Sequence, residues 1–167
     1  MRFILIFWFG LLLAGCGGED PIERQVRQAV SIEKGDECHL CGMVISGFPG
    51  PKGEAYEQGV EEVHKFCSTR DLLNWLLDPE NQHASQEAWV HDMGQSPWEQ
   101  PNDKHFVDAR AAWYVAGSEQ PGAMGPTLAS FKERAVAVRF AQRFGGEVLA
   151  FAELTQAHIN PIHHNYD

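Results

Sequence analysis

Positive charge is scarce in this chain. Thirteen lysines and arginines stand against 23 aspartates and glutamates, for a formal net charge of −10 over 167 residues. A nucleic-acid surface needs clustered cations to displace counterions from phosphates, so that class of partner is excluded, whereas a cationic protein partner is not. A membrane-spanning run is also lacking. The N-terminal stretch "MRFILIFWFGLLLAGC" is apolar only from Phe3 to Ala14, short of the roughly 20 residues a spanning helix requires. Cysteine is sparse, at four residues. What is plentiful is apolar side chain: 44% of the composition, enough for a modest core in one domain or two small ones, and too much for a disordered or fibrous chain.

The N-terminus reads as an address. One cation at Arg2, a short apolar run and small residues before Cys16 make a signal peptide over residues 1–15, which is set aside from the fold. Its ending, "LAGC", resembles a bacterial lipobox, in which the cysteine becomes the lipidated first residue. A resemblance of that kind implies an anchor of several acyl chains at Cys16, and a stable anchor needs more than one. Gly17, rather than Asp, points to the outer membrane. With Cys16 lipidated, Cys38, Cys41 and Cys67 remain in an oxidising compartment, so at least one thiol has no intramolecular partner.

Residues 16–35 are polar and glycine-led, and read as a lipidated tether with at most one helical turn. Residues 156–167, ending "HINPIHHNYD", read as a tail whose His158, His163 and His164 are solvated. Between these ends lies a weak internal repeat. "KFCSTRDLLNWLL" and "TLASFKERAVAVRF" each run from strand-like residues through a serine, with an acid three positions on, into an apolar-rich helix; Ser68 with Asp71 and Ser130 with Glu133 are read as capping boxes. In the second helix Val136, Phe140 and Phe144 form one buried stripe, and Gly145 and Gly146 end it. The first helix stops at Asp78 and Pro79. Strand candidates "MVIS", "EAYEQ", "EEVHKF" and "AWVHDM" surround the first helix, and "AAWYVAGS", "PTLAS" and "EVLAFAEL" the second. The reading is an α+β protein of two small similar ββαβ units, residues 36–93 and 105–155, joined by a connector at 94–104.

The chemistry gathers in "DECHLCGMVIS". On an extended segment residues i and i+2 share a side, so Cys41 and Met43 offer two sulfurs to one point, and Gly42 permits close backbone approach. Thiolate with thioether selects Cu(I) by softness. Cys38 and His39 lie near enough to join or relay the ion. Alone, Met43 would read as a core residue. Covalent haem attachment is excluded because Gly42 stands where the histidine must follow the second cysteine. A thioredoxin-like pair would need a helix rather than "MVIS" after it. A structural zinc site remains open, since Cys38, Cys41, Cys67 and a histidine could supply four ligands. A second thioether, Met124, lies in the glycine- and proline-rich "PGAMGPT", where no helical or strand period makes it a core residue. Met93, at the end of a strand, reads as structural.

Four landmarks, "CHLCGM", "KFCSTRD", "VDARAAWYVAGS" running into "GAMGP", and "GGEVLAFAEL", together resemble the NosL family, the accessory lipoproteins of nitrous oxide reductase, from about Asp36 to Leu154. The resemblance implies a lipid-anchored periplasmic Cu(I) carrier similar in fold to the organomercurial lyase MerB. It puts the copper ligands at Cys41, Met43 and Met124. It also implies delivery to the metal centres of nitrous oxide reductase, with the Nos ABC-transporter complex as docking partner. It extends no firm ligand role to Cys38, His39, Cys67 or the C-terminal histidines. The function expected is metal carriage by ligand exchange, without catalysis. The alternative class is an enzyme, either a MerB-like lyase or a thiol-disulfide oxidoreductase, with Asp71 as the nearest acid.

Overall fold

In a computed structural model of the chain, residues 26–161 are described. The signal peptide, Cys16 and the pair His163 and His164 lie outside them. Among the described residues no helix is long and apolar enough to cross a membrane.

The first unit is built on β1 (Gly53–Glu57), β2 (Val63–Phe66), α1 (Thr69–Leu76) and β3 (Ser85–His91). Its antiparallel sheet has the order β2-β1-β3-β4, where β4 (Phe106–Asp108) adds an edge by pairing with β3, although its residues fall in the stretch assigned above to the second unit. The second unit repeats the plan with β5 (Trp113–Ala116), β8 (Ala129–Phe131), α2 (Arg134–Phe144) and β9 (Glu147–Ala150), in sheet order β8-β5-β9. In both units the first strand is central, the second flanks it on one side and the strand after the helix on the other. Two ββαβ units are therefore present, as the repeat suggests. The second differs by an insertion, a small hairpin of β6 (Pro121–Gly122) and β7 (Gly125–Pro126) between β5 and β8.

Identical serine–acid spacings end differently. Ser68 caps α1, its hydroxyl accepting from the Asp71 backbone N–H at 3.1 Å. Ser130 does not cap α2. It lies inside β8 and donates its hydroxyl to the buried carbonyl of His91 at 2.7 Å, while Glu133 occupies the cap position with no side-chain bond. A tertiary acceptor outcompeted the local one. Gly145, at φ 74°, ends α2 as expected. The stripe Val136, Phe140 and Phe144 is half-buried rather than buried, and Ala137 is the residue of α2 that is fully enclosed. "MVIS" forms no strand; a single bridge between Glu37 and Val44 stands in its place.

Strand β5 has two faces and serves two cores. Tyr114 and Ala116 join the large core that holds Phe66, Leu72 and Leu73 of the first unit, while Val115 joins Ala129, Phe131 and Ala137 beneath α2. Met93 is packed at the edge of this second core, which accords with a structural role. The C-terminal stretch is no free tail as far as it is described: α3 (Gln156–Ile159) buries Ile159 against the main core, and Asn160 pairs with Asn74 and Arg70 of α1. His158 accepts from the Thr155 N–H at its own helix start.

Residues 26–33 are likewise not a loose tether or a helical turn. They run extended across the face of the first sheet opposite α1. The Tyr56 hydroxyl donates to the Gln28 carbonyl, Trp89 Nε1 donates to the Arg27 carbonyl, and the Arg27 guanidinium lies 4.3 Å from the Tyr56 ring centre. With this strap on one face and α1 on the other, β1 is buried on both sides. Gly53 is required there, because a Cβ at that position would meet Leu72 Cδ2 at 2.5 Å.

The strap leaves Glu54 fully enclosed. One carboxyl oxygen accepts from the Val30 N–H at 2.9 Å, and the other has no partner. Burial pushes the carboxyl up to about 7 from its ordinary 4.5. Between these values the folded protein retains a proton that the unfolded chain has released. Stability from this group is therefore present below pH 4.5 and is lost as the pH rises toward 7, by up to about 3 kcal/mol at 1.36 kcal/mol per unit. Glu54→Gln mimics the protonated form. Urea midpoints should therefore show the variant gaining on the parent as the pH is raised from 4.5 to 8, and a gap that did not change with pH would refute this account.

Candidate metal centre

The loop before β1 is folded by its own backbone. Gly42 N–H bonds the Cys38 carbonyl, Cys38 N–H the Met43 carbonyl, and Ile45 N–H the Asp36 carbonyl, each at 2.8 to 2.9 Å. Gly42 sits at φ 72° with open space where a Cβ would be, so it serves the turn and not a close backbone approach. The extended register expected to align Cys41 with Met43 is consequently absent. A further bond, His39 N–H to the Lys65 carbonyl at 2.8 Å, ties the loop to β2.

The turn carries Cys38 inward and Cys41 to the mouth, and both meet side chains at the start of α1. Cys41 Sγ lies 3.6 Å from Cys67 Sγ. Asp71 Oδ2 lies 3.2 Å from Cys67 Sγ and 3.5 Å from Cys38 Sγ. Cys38, Cys67 and Asp71 are buried and Cys41 is exposed; all three thiols are free. The ligand atoms of these four residues all fall within 4.8 Å of one another. The group stands at the N-terminal end of α1, where the helix dipole favours negative charge.

Their protonation is shared. A hydrogen bond from Cys67 pushes the Cys38 thiol down to about 5. The same bond, with burial and the Asp71 carboxylate beside it, pushes Cys67 far up. Burial raises Cys41. One thiolate is thus stabilised within a set whose remaining protons must be displaced by an ion. Lys52, buried and donating its ammonium to the carbonyls of Phe48, Pro49 and Gly50, is pulled down to about 8 by burial.

His39, Met43 and Met124, also singled out from sequence, are placed by other contacts. His39 stacks on His64 with ring centroids 3.9 Å apart, edge-on to Trp75. Met43 is half-buried beside the turn. Met124 is 53% exposed at the tip of the β6–β7 hairpin. That hairpin is tied to α1 and to the connector: Arg70 Nη1 donates to the Pro126 carbonyl at 3.5 Å, and Trp98 Nε1 donates to the Pro121 carbonyl at 2.9 Å. Ala123, next to Met124, packs on the main core. Sequence reasoning gave Cys67 and Asp71 no metal role beyond open alternatives. The spacing of Cys67 and Asp71, one turn apart across a helix start, was the available signal.

Three thiols and a carboxylate gathered in the first of two ββαβ units give this small α+β protein a candidate soft-metal centre. The NosL family model matches residues 29–159, and the chain belongs to that family. It is 48% identical to the "Copper-binding lipoprotein NosL" of Stutzerimonas stutzeri over 87% of this chain and 75% of that one. The protein of the same name from Achromobacter cycloclastes is 34% identical over 94% and 81% respectively. The crystal structure of the copper chaperone NosL from Shewanella denitrificans superposes with a TM-score of 0.77 at 55% identity, covering 78% of this chain and 97% of that one. The solution structure of apo-NosL from Achromobacter cycloclastes gives 0.52 at 32% identity, covering 69% and 94%.

Access, rather than thiolate character, should govern reactivity here. In the Cys16→Ser chain a maleimide reagent at pH 8 should label Cys41 quickly, and Cys38 and Cys67 only in denaturant. Mass spectrometry showing equal labelling of all three thiols in the native protein would contradict the enclosed geometry.

Proposed function

We propose that this protein is a periplasmic, lipid-anchored carrier of Cu(I) that supplies copper for assembly of the metal centres of nitrous oxide reductase. The observation that carries the reading is an exposed thiol, Cys41, at the mouth of a preorganised sulfur cluster, in a chain of a family whose relatives are named for copper binding. Cys41 provides a thiolate, and Met43 and Met124 provide thioethers. Two neutral thioethers and one thiolate suit Cu(I) by softness and leave a position open for an incoming ligand. The placement of the β6–β7 hairpin beside the first turn of α1 supports Met124 as the ligand contributed by the second unit.

Transfer proceeds by exchange of ligands. A partner's donor enters at the exposed side, where Met124 and the loop residues Leu40 and Val44 present apolar surface, and the thioethers leave before the thiolate. The partners are nitrous oxide reductase and the Nos ABC-transporter complex. Cys16 holds the carrier to the membrane, and Gly17 directs it to the outer membrane. No step requires catalysis.

Competition against a Cu(I) chelator tests the ligand set. Met124→Leu conserves volume and should keep the fold, yet lower copper affinity by about tenfold or more, equivalent to about 1.4 kcal/mol. Met93→Leu, in the second core, should bind as the parent does. The reverse ranking would move the site to Met93.

A further inference from the structure

The copper reading uses Cys41 and leaves three of the four clustered side chains without a task. Cys38 and Cys67 are buried thiols in a compartment where unpaired thiols invite oxidation, and Asp71 is a buried carboxylate turned onto both of them. We propose that Cys38, Cys41, Cys67 and Asp71 form a second metal position, a tetrahedral three-sulfur, one-oxygen site for a soft divalent cation of the Zn(II) class, which shares Cys41 with the copper position.

The geometry favours this class. With metal–sulfur bonds of about 2.3 Å, the sulfur–sulfur edge of a regular tetrahedron is about 3.8 Å, and a carboxylate oxygen at about 2.1 Å gives a sulfur–oxygen edge of about 3.6 Å. The protein presents 3.6 Å between Cys41 and Cys67, and 3.2 and 3.5 Å from Asp71 to Cys67 and Cys38. Three of the six edges are already close to metal-bound length and none of the six exceeds 4.8 Å, so binding would replace thiol protons by an ion as the longer edges contract. A two-coordinate ion would instead hold its sulfurs on opposite sides, further apart. The carboxylate argues in the same direction: oxygen is a poor donor to Cu(I) and an ordinary one to Zn(II). The buried negative charge left after binding is offset in part by the N-terminal end of α1.

Sharing Cys41 has a functional consequence. The two ions exclude each other, so a divalent ion would keep the thiols from oxidation in the unloaded carrier and leave as Cu(I) claims Cys41. Only this sharing rests on the copper assignment; the four-residue site does not.

Co(II), whose spectrum reports on Zn(II)-type sites, is the probe. Titrated into the reduced, anaerobic full chain, one equivalent should give thiolate-to-cobalt charge transfer and the intense visible bands of tetrahedral Co(II), and Zn(II) should abolish both. Loss of an outer partner alone costs metal sites 10- to 100-fold, so Cys67→Ala and Asp71→Asn should each weaken Co(II) by at least about tenfold. Should either variant fail to fold by circular dichroism, Cys41→Ser, altered at an exposed position, decides the matter: it must lose the tetrahedral spectrum. A pale octahedral spectrum in the parent, or an unchanged one in Cys67→Ala or Cys41→Ser, overturns the site. One equivalent of Cu(I) should release the Co(II), and simultaneous binding of both overturns the sharing. Met124→Leu separates the two readings. It should lower Cu(I) affinity and leave Co(II) untouched, and if it changes neither, the copper ligand set fails while the four-residue site stands.

Discussion

The turn from Cys38 to Met43 must be held against the start of α1 without help from the sulfurs it positions. Thiols are weak hydrogen-bond donors, and contacts of 3.2 to 3.6 Å among them and Asp71 contribute little net stability. The loop is fixed by backbone bonds instead: within itself, to Asp36, and from His39 to Lys65 of β2. On the other side Ser68 fixes the first turn of α1, and Thr69 N–H bonds the Pro51 carbonyl. The sulfur geometry is therefore imposed by main-chain structure that survives loss of an ion. Such preorganisation suits a protein that must exist in loaded and unloaded forms with the same fold.

The same economy explains the strap. A four-stranded sheet with a single short helix on one face would leave the other face wet, and Tyr56 and Trp89 would be exposed there. Residues 26–33 cover it as an irregular extended segment, held by bonds to Tyr56, Trp89 and Glu54 and by Ile32 N–H to Asp103. Asp103 in turn accepts from His91 Nε2. The tautomer follows from the network, since His91 Nδ1 accepts the Lys52 N–H and so carries no proton. The cost of this arrangement is concentrated in Glu54, whose second oxygen is unpaired. A buried polar group of that kind fixes the register of strap on strand at some expense of stability, because a shift by one residue would leave both Glu54 oxygens unsatisfied.

The repeat, both helices and most strands were legible because periodicity and turn residues act locally. Legibility failed where a tertiary group competed with a local one. Ser68 and Ser130 show the difference: each precedes an acid by three positions, and nothing within either segment tells them apart. Ser130 was claimed by the carbonyl of His91, 39 residues away, and Ser68 had no such rival. Asp71 shows a second kind of failure. Its backbone does what the capping pattern predicts, but its carboxylate faces Cys38 and Cys67, a destination set by a loop that the helix signal does not contain. The strap is hidden from composition because its sequence is polar and much of its anchoring is made by main-chain groups, with Arg27 adding side-chain contacts to Glu87 and Tyr56 that its polar setting does not announce.

The most telling departure of the second unit from the first is an insertion. Both units place their strands in the same order, yet between β5 and β8 the second inserts the β6–β7 hairpin, and nothing in the ββαβ plan needs it. The hairpin is tied to Trp98 of the connector through Pro121 and to Arg70 of α1 through Pro126, while Gly122 has no room for a Cβ beside Thr127 of its own unit. An insertion retained for stability alone would bury its tip, whereas this one buries Ala123 and leaves Met124 in solvent. A hairpin tied at its base to Arg70 of α1, carrying an oxidation-prone thioether at an exposed tip, has the form of a ligand arm. On the proposed copper ligand set, the first unit is a complete thiol holder, and the second exists to bring one soft, displaceable donor to it.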